Sequence, residues 1–122
     1  MRAGLLGWKG MAALCIACLA LGGCGEEAGP QVRADAVPAD AALAQLYATS
    51  CQQCHASPSA GAPLTGDAQA WAPRLAKGMD TLLEHSISGF QGMPPMGLCM
   101  QCSAEEFQAL IAFMSTATTE GR

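Results

Sequence analysis

The stretch Cys51-Gln52-Gln53-Cys54-His55 determines how this chain folds. Two cysteines separated by two residues and followed at once by a histidine form the attachment motif of a c-type haem. Each thiol adds across one haem vinyl group, and the histidine lies under the iron, where its imidazole can ligate the metal. A C-x-x-C pair alone would also suit a redox dithiol, half of a zinc site or a disulfide, but the adjacent histidine favours haem. We therefore predict one covalently bound haem c per chain, held by Cys51, Cys54 and His55.

Residues 1–23 have the pattern of a bacterial lipoprotein signal peptide. A basic start is followed by an apolar run that is too short for a comfortable membrane span. The run ends in Leu21-Gly22-Gly23-Cys24, which resembles a lipobox, where the cysteine is acylated and becomes the new N-terminus. An ordinary signal peptide with a stray cysteine is the alternative, although no A-x-A cleavage site lies nearby. We predict lipidation at Cys24 and a location in the bacterial periplasm, anchored to the outer rather than the inner membrane because Gly25 follows the cysteine.

The charge and size of the chain limit its partners. Of the 122 residues, 10 are acidic and 6 are basic, and removal of residues 1–23 makes the balance more acidic. No basic patch is visible, so nucleic acid is not a predicted partner. A mature domain this small is marginal on its own apolar burial, and we expect the haem to complete its core.

The rest of the chain divides into three parts. Residues 24–39 lack apolar periodicity and contain two prolines, which predicts a lipidated N-terminus and a flexible tether. Residues 40–117 form the predicted haem domain, and residues 118–122 are a tail. Within the domain we predict four short helices. The first spans 41 to about 49 and is capped by Asp40, and the second spans 71–77. The third spans 81–88, is capped by Asp80 and buries Leu82, Leu83 and Ile87, and the last begins with Ser103 and Glu106 as a capping box. Residues 56–70 and 90–102 are predicted loops.

The last helix carries the clearest apolar stripe. Phe107, Leu110, Ile111 and Met114 follow one another at helical spacing, and no alternating strand pattern is visible anywhere. The predicted fold is all-α, with three to four short helices wrapped around a covalently bound haem.

A second iron ligand is expected opposite His55. The candidates are His85, Met79, Met93, Met96, Met100 and Met114. Met93 is favoured because Gly92 lets the backbone approach closely and Pro94 and Pro95 stiffen the loop. We expect Met79 and Met114 to pack in the core and His85 to lie on a solvated helix face. Met96, Met100 and His85 nevertheless remain alternatives to Met93 as the ligand.

The region from Cys51 to Met114 resembles a class I cytochrome c of the cytochrome c5 type. The segments that carry the resemblance are Cys51–His55, Gly61–Pro63, Thr65–Asp67, Trp71–Leu75, Gly92–Pro95, Cys99–Cys102 and Ser103–Glu106. The resemblance implies a one-electron carrier rather than an enzyme, with a membrane-bound or periplasmic oxidase or reductase as its redox partner. It also implies that Met93 is the distal ligand, that the Pro63 carbonyl accepts a hydrogen bond from the proximal imidazole, and that Cys99 and Cys102 form a disulfide.

The chain departs from this family at two points. Members often have lysine after the two prolines, where this chain has Met96, so that basic docking contact is not expected here. The lipobox and the tether are also not general features of the family.

Alternatives remain for the second cysteine pair and for the function. Cys99 and Cys102 could form a structural disulfide, a redox-active dithiol at a helix N-terminus, or half of a zinc site. The alternative functions are a haem enzyme or gas-binding protein with a labile methionine, and a thiol-disulfide oxidoreductase. No distal acid–base pair for peroxide chemistry is apparent, so we do not predict an enzyme.

Overall fold

The computed structural model describes residues 32–116, so residues 1–23, Cys24 and the predicted tail lie outside the described range. The described residues form five α-helices and two 3₁₀ turns, and none of them belongs to a β-strand. The helices are α1 (Ala41–Thr49), α2 (Gln52–His55), α3 (Ala68–Leu75), α4 (Met79–Ser88) and α5 (Ala104–Thr116), and the 3₁₀ turns are Pro58–Ala60 and Pro95–Leu98. The all-α prediction is confirmed, and the haem motif has a single-turn helix of its own, α2. No helix within residues 32–116 combines the length and the apolar character needed to cross a bilayer.

Side-chain caps fix the starts of the first and last helices where the sequence predicts them. The carboxylate of Asp40 accepts a hydrogen bond from the backbone N–H of Leu43 at 2.8 Å. At α5, Ser103 and Glu106 form a reciprocal pair: the Glu106 N–H donates to the Ser103 hydroxyl at 3.2 Å, and the Ser103 N–H donates to the Glu106 carboxylate at 2.7 Å. Each cap satisfies backbone donors that a helix start leaves without a partner.

The two middle helices begin earlier than predicted. Helix α3 begins at Ala68 instead of residue 71, because the Asp67 carboxylate accepts the N–H of Ala70 at 3.0 Å and caps the helix there. Helix α4 begins at Met79, after Gly78 with φ of 89°, so Asp80 is not its cap. Asp80 lies in the first turn instead, where a negative charge suits the helix dipole.

Helix α5 lies at the centre of the fold and packs against α1, α3 and α4. Its predicted stripe is confirmed, because Phe107, Leu110, Ile111 and Met114 are all buried. Helix α4 buries Leu82 and Ser86, which lie one turn apart on one face. Ile87 is offset from that face and is 39% exposed, so the prediction that it is buried was wrong.

The segment before α1 contacts the domain. Within residues 32–39, the backbone N–H of Arg33 donates to the carbonyl of Thr65 at 3.0 Å. Pro38 is buried next to the start of α1. The last part of the predicted tether therefore lies against the domain that it leads into.

Candidate haem-binding site

A cavity of about 410 Å³ opens between α2, α3, α4, α5 and the loop that contains Met93. Cys51, Cys54 and His55 all line it, and both cysteines are free thiols. Burial raises the pKa of the Cys51 thiol. Two free thiols and an imidazole on one wall of a largely apolar cavity form the donor set that haem c requires, so the residues present fit this group.

The orientation of His55 is fixed from three sides. Its Nδ1–H donates to the carbonyl of Pro63 at 2.7 Å, since a carbonyl can only accept, and this leaves Nε2 available for a metal. The His55 carbonyl accepts the N–H of Thr65 at 2.8 Å, and the ring stacks on Trp71 with centroids 5.8 Å apart. Burial lowers the pKa of His55, against the raising effect of the Pro63 hydrogen bond. A lowered pKa favours the neutral imidazole, which is the form that ligates iron.

A second layer of hydrogen bonds holds the segment that contacts His55. The Trp71 indole N–H donates to the carbonyl of Leu64 at 2.9 Å, and the hydroxyls of Tyr47 and Thr65 are 2.8 Å apart. Tyr47 and Thr65 are both completely buried. The sequence analysis did not assign this role to Tyr47. It could have been inferred from the position of this tyrosine on the inner face of α1, because a buried tyrosine hydroxyl needs a hydrogen-bond partner.

The structure divides the six candidates for the second ligand into two groups. Met93, His85 and Met114 line the cavity. Met79 and Met96 pack against the core instead, and Met100 is 75% exposed. Met114 also belongs to the buried stripe of α5, whereas Met93 lies on a loop. His85 does not lie on a solvated face as expected, because its ring stacks on Phe90.

The loop around Met93 has an unusual backbone. Gln91, Met96 and Leu98 have φ of 53°, 62° and 65°, values that non-glycine residues rarely adopt. Gly97, with φ of 50°, is buried, and a Cβ atom at this position would lie 2.8 Å from Cε of Met93. Because Gly97 has no side chain, the end of the Met93 side chain can pack directly against its backbone.

The charges around the cavity are all of one sign. Arg74 and Lys77 line it, and no Asp or Glu is present among the described lining residues. The Arg74 guanidinium donates to the carbonyl of Ala70, which ties it to its own helix. A cationic wall suits the two carboxylates that a haem carries.

Cys99 and Cys102 are joined by a disulfide, with their Cα atoms 5.4 Å apart. Cys99 is 0% and Cys102 7% exposed, which opposes thiol exchange because an attacking thiolate must reach a sulfur atom. In the described part of the chain, no group of three or more His, Cys, Asp or Glu residues could hold a metal ion, so nothing there supports a zinc site. The disulfide connects the end of the Met93 loop to the start of α5.

Comparison with known proteins gives consistent matches. The family model described as "Cytochrome C oxidase, cbb3-type, subunit III" matches residues 38–114. Cytochrome c5 of Azotobacter vinelandii is 46% identical over 72 residues, which are 57% of this chain and 87% of that protein. Cytochrome c-555 of Chlorobaculum tepidum is 39% identical over 88 residues, covering 68% of this chain and 82% of that protein.

A solved structure extends the likeness to the fold. It is titled "Crystal structure of electron transfer complex of nitrite reductase with cytochrome c". The matching chain is 43% identical, with a TM-score of 0.55, over 62% of this chain and 93% of that one.

Proposed function

This chain belongs to the class I cytochromes c of the cytochrome c5 type, and is therefore a haem c electron-transfer protein, for which we propose His55 and Met93 as axial ligands and an acylated Cys24 as membrane anchor. When bound, haem c supplies an iron that changes oxidation state by one electron at a time.

The observation that carries the proposed ligation is that His55 and Met93 line one cavity while His55 donates its Nδ1–H to Pro63. This hydrogen bond leaves Nε2 as the ligating nitrogen and fixes the plane of the ring. Thioether sulfur is a soft ligand that favours the ferrous state and raises the reduction potential. If His55 and Met93 both ligate the iron, no coordination position would remain for a substrate, which suits a carrier rather than an enzyme.

The proposed anchor is supported by the sequence Leu21-Gly22-Gly23-Cys24. A single acyl chain gives only marginal membrane binding, whereas two or more give stable anchoring. We place the protein in the bacterial periplasm, held by lipid at the outer membrane.

The proposed partner is a redox protein, a periplasmic or membrane-bound oxidase or reductase. The related cytochrome c of solved structure is described in an electron-transfer complex with nitrite reductase. A thiol-disulfide oxidoreductase is disfavoured by the complete burial of Cys99.

Met93 ligation is tested by Met93→Ala with Met100→Ala as the matched control. The first change should abolish the sulfur-to-iron charge-transfer band of the oxidised protein and allow carbon monoxide to bind. The second removes the same side chain from a site that is 75% exposed and should change neither property. Rapid carbon monoxide binding by the unsubstituted protein would instead indicate a gas-binding haem protein with a labile methionine.

The anchor is tested by Cys24→Ser in the exporting bacterium. The change should prevent lipoprotein processing and release the protein from detergent-dependent association with membranes. An unsubstituted protein that is soluble in the periplasm and carries no acyl mass contradicts the anchor, and leaves the proposed ligation unaffected.

A further inference from the structure

Met93 belongs to a four-residue turn that closes on Phe90. The Phe90 N–H donates to the Met93 carbonyl at 3.0 Å, and the Met93 N–H donates to the Phe90 carbonyl at 2.9 Å. The two residues form an isolated antiparallel bridge, and Gln91 and Gly92 between them are exposed. Any movement of the Phe90 backbone is therefore transmitted to Met93.

The ring of Phe90 is tied to α4 by a close stack. The rings of His85 and Phe90 have centroids 3.9 Å apart and an interplanar angle of 9°. This separation is shorter than the 4.5–7 Å that is usual for aromatic pairs, so the two faces are in full contact. The Lys77 ammonium also lies over the Phe90 ring, 5.7 Å from its centroid.

The part of α4 that carries His85 is packed into the core. His85 lies between Leu82 and Ser86, the two residues that α4 buries, and the Ser86 hydroxyl donates to the Leu82 carbonyl at 2.9 Å. His85 also lines the haem cavity. Its imidazole is thus held by a packed helix on one side of the cavity while it contacts the turn that carries Met93.

We propose that His85 is a positioning residue: its stack on Phe90 fixes the Phe90–Met93 turn and so keeps the Met93 sulfur at the iron. The inference rests on the proposed ligation by Met93. His85 acts through Phe90 and is not itself a ligand. Loss of the stack would increase the fraction of molecules in which Met93 has left the iron, because the turn that carries Met93 would lose a contact that holds it against α4.

The test measures the association rate of carbon monoxide with the ferrous protein, which depends on how often Met93 leaves the iron. His85→Leu, which keeps an apolar contact but cannot stack, should raise this rate about 2- to 12-fold, the factor that corresponds to one aromatic pair. His85→Phe keeps an aromatic face and should restore the rate to within about twofold of the unsubstituted protein. Glu84→Ala changes an exposed residue of the same helix, whose carboxylate accepts the Ser88 hydroxyl, and should leave the rate unchanged.

A second variant removes the same stack from the other side. Phe90→Leu alters a ring that is only partly covered by the fold and should raise the rate as His85→Leu does. The double variant should show no further rise in rate, because the two changes remove the same contact. This arm keeps the test decisive even if His85→Leu does not accumulate as a folded protein.

The outcomes separate the two proposals. If the oxidised unsubstituted protein lacks the charge-transfer band, Met93 is not the ligand and the proposed function fails at that point. If the band is present and the rates of His85→Leu and Phe90→Leu equal that of the unsubstituted protein, the positioning role of His85 is refuted. Rates that rise equally in His85→Leu and Glu84→Ala refute it too, since the effect then comes from α4 as a whole.

Discussion

Replacing Gly97 by alanine should displace the Met93 side chain by more than an iron–sulfur bond tolerates. A Cβ atom at residue 97 would lie 2.8 Å from Cε of Met93. Carbon atoms pack at about 3.5 Å or more, so the two groups must separate by about 0.7 Å. The end of a free methionine side chain moves easily, but Cε is bonded to the sulfur that we propose as ligand. Moving the sulfur together with Cε would exceed the tolerance of about 0.2 Å that ligand distances in metal sites have, and turning Cε about the Cγ–S bond would rotate the sulfur lone pairs away from the iron.

The same substitution has a backbone cost that a control can measure. Gly97 has φ of +50°, and a residue with a Cβ atom in this conformation costs about 1 kcal/mol whether or not Met93 ligates iron. Gly78 has φ of +89° and nothing within 4 Å of the position of a Cβ atom. With ψ of 154°, Gly78 has an extended positive-φ conformation that only glycine adopts readily, so Gly78→Ala carries a backbone cost at least as large, without a contact.

The assay is the sulfur-to-iron charge-transfer band of the oxidised protein, together with its reduction potential. In Gly97→Ala the band should be lost or strongly weakened and the potential should fall, since thioether ligation raises it. Gly78→Ala should keep both the band and the potential while losing at least as much stability. An unchanged band and potential in Gly97→Ala would refute the reasoning, because the methyl group could then be accommodated without moving the sulfur.

Three further predictions concern stability. Replacing both Cys99 and Cys102 by alanine should lower the free energy of unfolding by at most about 2 kcal/mol in a urea titration, and leave the haem spectrum intact, because only a very small loop is opened. Tyr47→Phe should cost about 1–3 kcal/mol, since it leaves the buried Thr65 hydroxyl without its partner, and adding Thr65→Val should recover part of that loss. Ser103→Ala should cost about 1 kcal/mol by removing a helix cap, and an unchanged urea midpoint would contradict its role.

Sequence reasoning succeeded where the determinant is local. The helix starts at Asp40 and Ser103 depend on a carboxylate or hydroxyl within three residues of the amide that it caps, and both were predicted. The start of α3 was missed although Asp67 caps it in the same way. Residues 56–70 are rich in Ser, Gly, Pro and Ala, a composition that predicts a loop and concealed the helix start at Ala68.

The stack between His85 and Phe90 depends on how the chain turns after α4. Gly89 has φ of +86°, and a Cβ atom there would lie 3.0 Å from the backbone nitrogen of Pro95. The chain can therefore fold back closely at this residue and bring Phe90 over the helix it has just left. Helical periodicity treats His85 only as a point on a helix face, so it places this side chain in water and cannot foresee the return of the loop.

The contact between Arg33 and Thr65 sets how far the domain can travel from a lipid surface. Seven residues, 25–31, separate Cys24 from Val32, the first described residue. Even fully extended, the eight Cα–Cα steps from Cys24 to Val32 span at most about 29 Å. With Cys24 acylated as proposed, the domain stays within about that distance of the headgroups. With a partner bound to the same membrane, the rate of electron exchange would then depend on the surface density of that partner and not on its concentration in the bulk.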